Sequence, residues 1–357
     1  MGTTDSITLT RILTTAAGWH ASDLHFIVGN QPSVRVDGKL KMLEDEQIVT
    51  PEFIEAVAAI VLNDQQRTQL AAQKDVLAAF SLNPQVRFKV TAVYQRGSLA
   101  ISLHFIAASI RRLEDLALPA PVSQFPNLTK GLVIITGPYG SGKTTTMNAI
   151  VNAINETRAA NIVTVEQPIE YLFVNNKSLI EQREIGRDAL TSEQAILAAS
   201  REDVDVIVVS EATSSSVIEA LLNAAEASRL VLTTMATDSV IGTIDKILNS
   251  FPSADLPKIR TQLSSVLGGI VSQRLLPRIG GGEVAVAEVM VPTAPTRAVI
   301  RDGALVQLAN VIQTSRGSGL VSLDRQLAQL VQSGTITLED ALQNAQDPTV
   351  LSTLKST

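Results

Sequence analysis

Nine consecutive residues carry the clearest chemistry in the chain: Gly137, Pro138, Tyr139, Gly140, Ser141, Gly142, Lys143, Thr144 and Thr145. The stretch fits G-x-x-x-x-G-K-[ST]. Glycines at those spacings let the backbone wrap so that several N–H groups face one phosphate. The N-terminus of a following helix adds free amides and the positive end of its dipole. Lys143 would reach the β- and γ-phosphates of a nucleotide, and Thr144 would offer a hydroxyl to Mg²⁺. Two acidic positions are candidates for a water-orienting carboxylate. Glu211 closes the apolar run Val206-Ile-Val-Val-Ser-Glu211, and Glu166 opens the cluster Glu166-Gln-Pro-Ile-Glu170. Hydrolysis needs such a group, together with something that stabilises charge on the transferring phosphoryl.

These residues need a frame, and the pattern of the second half supplies one. GLVIITG, NIVTVE, DVIVVSE and RLVLTTM read as four short buried strands. Helical patterns alternate with them: one from Gly142 to about Asn155, TSEQAILAASRE, SSSVIEALLNAAEAS and SVIGTIDKILNSF. Thr191 to Gln194 has the form of a capping box. Val217, Leu221, Leu222 and Ala225 fall on one side of their helix, and Val240, Ile241, Ile244, Ile247 and Leu248 recur at three and four spacing. Strands alternating with helices predict a parallel sheet covered on both faces. In such a sheet the ligand edge is the one at the strand C-termini. Glu211 therefore belongs on the same edge as the phosphate loop. From about Leu320 the chain reads as a helical tail.

The first hundred or so residues read as a smaller α+β domain. SITLTRILTTAAGW has helical spacing, and ASDLHFIVG reads as a strand. Asp37-Gly38 stands between alternating residues, which is a hairpin signal. PEFIEAVAAIVL is a helix with proline at its start. VRFKVTAVYQRGSLAISLHFI alternates on both sides of Arg96-Gly97 and predicts another hairpin. RRLEDLALPAPVSQFPNLTKG holds three prolines and little period, which marks a linker. The expected organisation is residues 1–110, a linker over 111–130, and a core over 131–357.

Totals exclude several function classes. The chain has 357 residues, 45% hydrophobic and 3% aromatic, so the core must be aliphatic. A net charge of −6 with a pI near 5.3 argues against a broad nucleic-acid footprint. There are no cysteines, hence no disulfide, thiol catalysis or cysteine-ligated zinc. No apolar run approaches membrane-spanning length and MGTTDSITLT is not a leader, so a cytosolic protein is expected. No histidine follows His104, which excludes a histidine γ-phosphate sensor in the core.

The order of these motifs resembles the type II/type IV secretion ATPase superfamily, and most of all the type IV pilus retraction ATPases. ASDLHFIVGNQPSVRVDGKL and RFKVTAVYQRG carry the resemblance in the first half. GLVIITGPYGSGKTTT, TVEQPIEYLF, SLIEQREIG, ALTSEQAILAASREDVDVIVVSE, TIDKILNSFP, VSQRLLPR and PTRAVIRDG carry it in the second. The resemblance implies a PAS-like N-terminal domain joined flexibly to a RecA-like P-loop ATPase core. It implies ATP and Mg²⁺ as ligands and a homohexameric ring. It also implies an inner-membrane pilus platform protein and a paralogous pilus ATPase as partners, at the cytoplasmic base of the pilus machine. By position it assigns Lys143, Thr144, Glu166 and Glu211 to the nucleotide site, with Arg87 and Arg96 as N-domain arginines that reach the phosphates. The chain departs from the family where Gln167 replaces an aspartate and Ala212-Thr-Ser replaces a Met-Arg-Asp run. It departs again where Met235-Ala236-Thr237 replaces Leu-His-Thr and His104 replaces a third arginine. Slow hydrolysis follows as one expectation, and a non-catalytic ATP-holding ring component as the alternative. A four-cysteine secretion ATPase fits less well, since the chain has no cysteine.

Overall fold

The computed structural model describes residues 3–352 apart from 37, 84, 85, 108 and 315–318. Two compact units emerge, residues 1–109 with 167–172 and residues 110–166 with 173–357.

The first unit is a six-stranded antiparallel sheet with helices on one face. Its elements are α1 (Thr3–Gly18), β1 (Asp23–Ile27), β2 (Ser33–Val36), β3 (Lys39–Met42), α2 (Pro51–Val61), α3 (Asp64–Gln73), β4 (Asp75–Asn83), β5 (Val86–Gln95) and β6 (Ser98–Ile106). The strand order is β3-β2-β1-β6-β5-β4. Period-two alternation sends Phe88, Val90 and Ala92 of β5 and Leu99, Ile101 and Leu103 of β6 inward, onto Leu9, Ile12 and Leu13 of α1 and Ile54 and Val57 of α2. The other face carries a polar row in register, Arg35–Asp23–His104–Lys89. Both predicted hairpins form. Arg96 and Gly97 have φ of 48° and 79° and link Gln95 to its partner Ser98, as a two-residue turn of the primed kind requires. β2 and β3 pair with Val36 opposite Lys39, while Asp37 itself lies outside the described residues. α2 starts at Pro51, capped by Thr50, whose side chain accepts from the Phe53 N–H at 3.2 Å. α3 has a weak apolar pattern, with only Leu70 buried; its order comes from an Asn63/Gln66 capping box.

The second unit is an eight-stranded sheet in the order β14-β13-β12-β7-β11-β10-β8-β9. Its strands are β7 (Gly131–Thr136), β8 (Asn161–Glu166), β9 (Leu179–Glu184), β10 (Val206–Val209), β11 (Leu230–Met235), β12 (Leu267–Pro277), β13 (Glu283–Met290) and β14 (Leu320–Val321). The helices are α4 (Lys143–Thr157), α5 (Ser192–Ala199), α6 (Ser215–Glu226), α7 (Val240–Asn249), α8 (Leu256–Val266), α9 (Ala294–Asp302), α10 (Leu305–Thr314), α11 (Leu323–Gln332), α12 (Leu338–Asn344) and α13 (Pro348–Ser352). Every residue of β7, β10 and β11 is buried, because apolar clusters cover both faces of the sheet. The fold is thus an α+β domain followed by a RecA-like α/β core.

The four predicted strands pair in parallel as expected, and three features add to the sequence reading. The sheet is parallel from β9 to β12 only; β13 turns back antiparallel on β12 and β14 on β13. The tail begins with the short strand β14, and helices follow from Leu323. The proline-bearing stretch read as a linker forms two 3₁₀ segments, Leu113–Leu116 and Ala120–Asn127. Val122 and Phe125 are about 1% exposed within the core, and Arg158 donates to the Pro126 and Leu128 carbonyls at 3.1 and 2.6 Å. Irregular period reflected three-residue turns, not absence of packing. Residues 167–172 belong with the first unit although their neighbours on both sides belong with the second.

Phe125→Ala should therefore lower stability by about 3–5 kcal/mol in chemical unfolding, as a buried aromatic truncation does. A loss below about 0.5 kcal/mol, typical of a surface change, would mark the segment as an unpacked tether.

Candidate functional site: a phosphate loop at the strand C-termini

β7 runs parallel to β11 on one side and β12 on the other, so Thr136 lies opposite both Met235 and Ser272. The loop leaves β7 immediately afterwards. Gly137 has φ 152°, and a Cβ there would stand 2.2 Å from the Gln273 carbonyl oxygen. No side chain fits that approach. Gly142, at φ 82°, is the N-cap of α4 and has no side chain to cap the helix, so the first-turn amides are left to a ligand or solvent. Lys143 Nζ donates to the Gly137 and Pro138 carbonyls at 2.9 and 2.8 Å, which folds the cation over the loop. Thr144 and Thr145 are half-buried in the first turn, and Tyr139 projects outward, 82% exposed. The Ser141 hydroxyl is buried and makes no hydrogen bond among the described residues. Uncapped amides, a folded-over ammonium and an orphaned buried hydroxyl fit a phosphate chain.

The two acids leave neighbouring strands on the same edge. Glu166 ends β8, is 4% exposed, and accepts hydrogen bonds from Thr164 Oγ1 at 2.6 Å and Gln182 Nε2 at 3.0 Å. Glu211 lies two residues beyond β10 and is exposed, with no hydrogen bond or ion pair among the described residues. The backbone around it is fixed. The Ser210 N–H donates to the Val165 carbonyl at 3.0 Å and the Ala212 N–H to the Thr234 carbonyl at 2.9 Å. Glu211 is thus a free carboxylate on an anchored turn.

Between Glu211 and the loop stands the turn Met235-Ala236-Thr237. Thr136 Oγ1 accepts from the Thr237 N–H at 3.1 Å and contacts the Thr237 hydroxyl. That hydroxyl meets Thr243 Oγ1 of α7 at 2.6 Å. Lys246 Nζ donates to the Ala236 carbonyl at 3.1 Å. A hydroxyl relay and a lysine tie this turn to the base of the phosphate loop.

Sequence reasoning missed three buried polar residues. Gln273 of β12 holds the loop from beneath. Glu288 of β13, 3% exposed, accepts from the Val240 N–H at 2.8 Å and so serves the N-terminus of α7. Asp324, 2% exposed, accepts from the Gln346 and Asp347 N–H groups at 2.8 and 3.0 Å. Burial is the main cause that pushes the Glu288 carboxyl above its ordinary value, with a smaller rise from Asp324; the Val240 N–H, Gln346 and Arg274 oppose it. Burial likewise raises Asp324. For Gln273 and Glu288 the available signal was a polar residue within a mainly apolar strand; Asp324, in the first turn of α11, gave none.

Arg87 and Arg96 belong to the first unit. Arg87 donates to Ser81 Oγ at 2.9 Å and to the Ile169 carbonyl at 2.7 Å; Arg96 is exposed on the β5–β6 turn. His104 pairs with Asp23 at 2.9 Å, and Lys89 with Glu170 at 2.9 Å.

The profile of the type II/IV secretion system proteins matches residues 6–343. The chain belongs to the type II/IV secretion system protein family. It is 34% identical over 340 residues to the type IV pilus retraction ATPase PilT of Pseudomonas aeruginosa, covering 95% of this chain and 98% of that one. It is 35% identical to a twitching motility protein of Neisseria gonorrhoeae, covering 88% and 84%. A solved structure of the pilus retraction motor PilT with bound ADP is similar at a TM-score of 0.83 and 37% identity, covering 96% of this chain and 98% of that one. An ATPase DotB from Legionella pneumophila shares the fold, with a TM-score of 0.80 at 21% identity over 94% and 95%. In this member of the family, alanine stands where the resemblance calls for histidine, and the relay of threonines occupies the same turn.

A carboxyl that favours its protonated form when folded contributes stability fully present below its unfolded pKa and lost as pH rises through its folded one. The stability of the native chain minus that of Glu288→Gln should therefore fall as pH rises above the ordinary 4.5. Parallel unfolding titrations would show it. A difference that stays flat or grows with pH would contradict the assignment.

Proposed function

We propose that this chain is a MgATP-hydrolysing motor subunit of the pilus retraction type. The observation that carries the reading is the loop Gly137–Thr145, with Lys143 folded over its carbonyls, on the same sheet edge as Glu166 and Glu211. Its family membership and its likeness to PilT over nearly the whole chain support it. The amides of the loop and of the first turn of α4 bind the phosphates, and Lys143 turns from its own carbonyls to the β- and γ-oxygens. Thr144 would hold Mg²⁺, which would neutralise charge on the phosphates. Mg²⁺ characteristically takes few protein ligands, and among the described residues no cluster of three or more acidic or histidine side chains is placed to hold a metal. Glu211, unpaired on its fixed turn, orients the attacking water; Glu166 holds the second acidic position. Arg87 and Arg96 are the arginines of the first unit that meet phosphate during turnover, where a planar guanidinium bridges two oxygens.

The working unit is a homohexamer at the cytoplasmic base of a pilus machine, acting on an inner-membrane platform protein. Among the described residues no helix is long and apolar enough to cross a membrane. Hydrolysis is slow, because the position of one transition-state donor is filled by Ala236 and a nearby Met-Arg-Asp run by Ala212-Thr-Ser. The same substitutions favour a second reading, an ATP-holding ring component that works beside an active paralogue.

Steady-state phosphate release with MgATP separates the two. A motor gives a rate that Glu211→Gln lowers by about a hundredfold, the scale of losing one key catalytic contact, and that Lys143→Ala abolishes. Equal, background rates in all three proteins, with ATP still bound by the native chain, would leave the accessory reading.

A further inference from the structure

Gln273 is 1% exposed on β12, with Ala287 as its partner on β13. Its carbonyl oxygen occupies the space beneath Gly137, where even a methyl group would collide. Its side-chain Nε2 donates to the Ser141 carbonyl at 2.6 Å and lies 3.1 Å from where a Gly142 Cβ would be. Its Oε1 accepts from the Thr146 hydroxyl at 2.8 Å, one turn into α4. One residue therefore touches the loop at its start, at its crest and at the helix it feeds.

The Ser141 contact has a directional consequence. In a trans peptide the C=O and the following N–H point in opposite directions. With the Ser141 carbonyl drawn down to Gln273, the Gly142 N–H points away from the Gln273 amide. Freed from Gln273, that peptide could rotate and present an oxygen lone pair instead. An oxygen facing phosphate repels it.

We propose that Gln273 is a positioning residue for nucleotide binding: its side-chain amide sets the orientation of the Ser141–Gly142 peptide that receives phosphate. This rests on the phosphate-loop reading above. The requirement is specific. The residue must donate to Ser141 and accept from Thr146, which an amide does and a carboxylate does not.

Gln273→Glu in the full chain tests it. Near neutral pH the ionised carboxylate still accepts from Thr146 but opposes the Ser141 carbonyl. MgATP affinity, measured by calorimetry or with a fluorescent ATP analogue, should drop by about tenfold or more, the scale of one buried hydrogen bond lost with its partner left unsatisfied. A carboxyl in that setting favours protonation. On acidification its O–H donates to Ser141 again, and affinity relative to the native chain should recover. Reading each pH as a ratio to the native chain cancels effects common to both proteins, the titration of Glu288 beside Ala287 among them. Gln273→Met, which cannot donate at any pH, should lose affinity by a similar factor without recovery. Native-like affinity in Gln273→Glu at neutral pH, or a loss with no recovery on acidification, would overturn the proposal. If Gln273→Glu does not fold, native-like affinity in Gln273→Met does the same. Failure of the native chain to bind MgATP would overturn the nucleotide reading itself, a result distinct from either.

Discussion

The site depends on where one strand ends. β7 is buried along its whole length and hydrogen-bonded on both sides, to β11 and to β12. Its two neighbours fix the height at which Gly137 leaves the sheet, and the two apolar layers fix the sheet. A slip of one residue in β7 would exchange the residues facing the two layers. It would also move the loop relative to the turns that follow β8, β10 and β11. Because the strands run parallel, their C-terminal ends form one edge. The phosphate loop, the Ala236 turn, Glu211 and Glu166 follow one another along it in the strand order β7-β11-β10-β8.

The parts legible in the sequence are those whose meaning is local. Four apolar runs between helical patterns forecast the buried strands, and the lysine-bearing glycine loop forecast the site. The Arg96-Gly97 turn forecast its hairpin. What was not legible depends on neighbours far apart in sequence. Gln273 reads as a polar interruption until β12 is seen beside β7, where its amide reaches Ser141. Glu288 reads as an unremarked acid until it is placed under the N-terminus of α7. The segment read as a linker lacks a 3.6 or 2 period because its turns are 3₁₀, yet it delivers Phe125 against Gly269, where an added Cβ would come within 2.5 Å of the ring. Composition marked those prolines as punctuation and could not show what they pack on.

The departures from the family pattern are chemically coherent. Where the resemblance calls for a histidine, Ala236 offers only its backbone carbonyl, held by Lys246. The turn is rigid through Thr136, Thr237 and Thr243. A hydroxyl relay transmits position without a titratable ring, so the geometry of the edge persists while one charge-stabilising group is gone. Glu211 keeps a free carboxylate beside this edge, anchored through the backbone of Ser210 and Ala212. On the proposed reading, the groups that bind nucleotide are more complete in this chain than those that would hydrolyse it.

The central claim is that the amides between Gly140 and Thr145 receive the phosphates of a nucleotide. Hydrogen–deuterium exchange of the native chain with and without MgATP tests it most directly. Slowed exchange centred on those amides, absent when AMP replaces ATP, is the predicted result. Unchanged exchange there at saturating MgATP, with protection elsewhere on the chain, would contradict it.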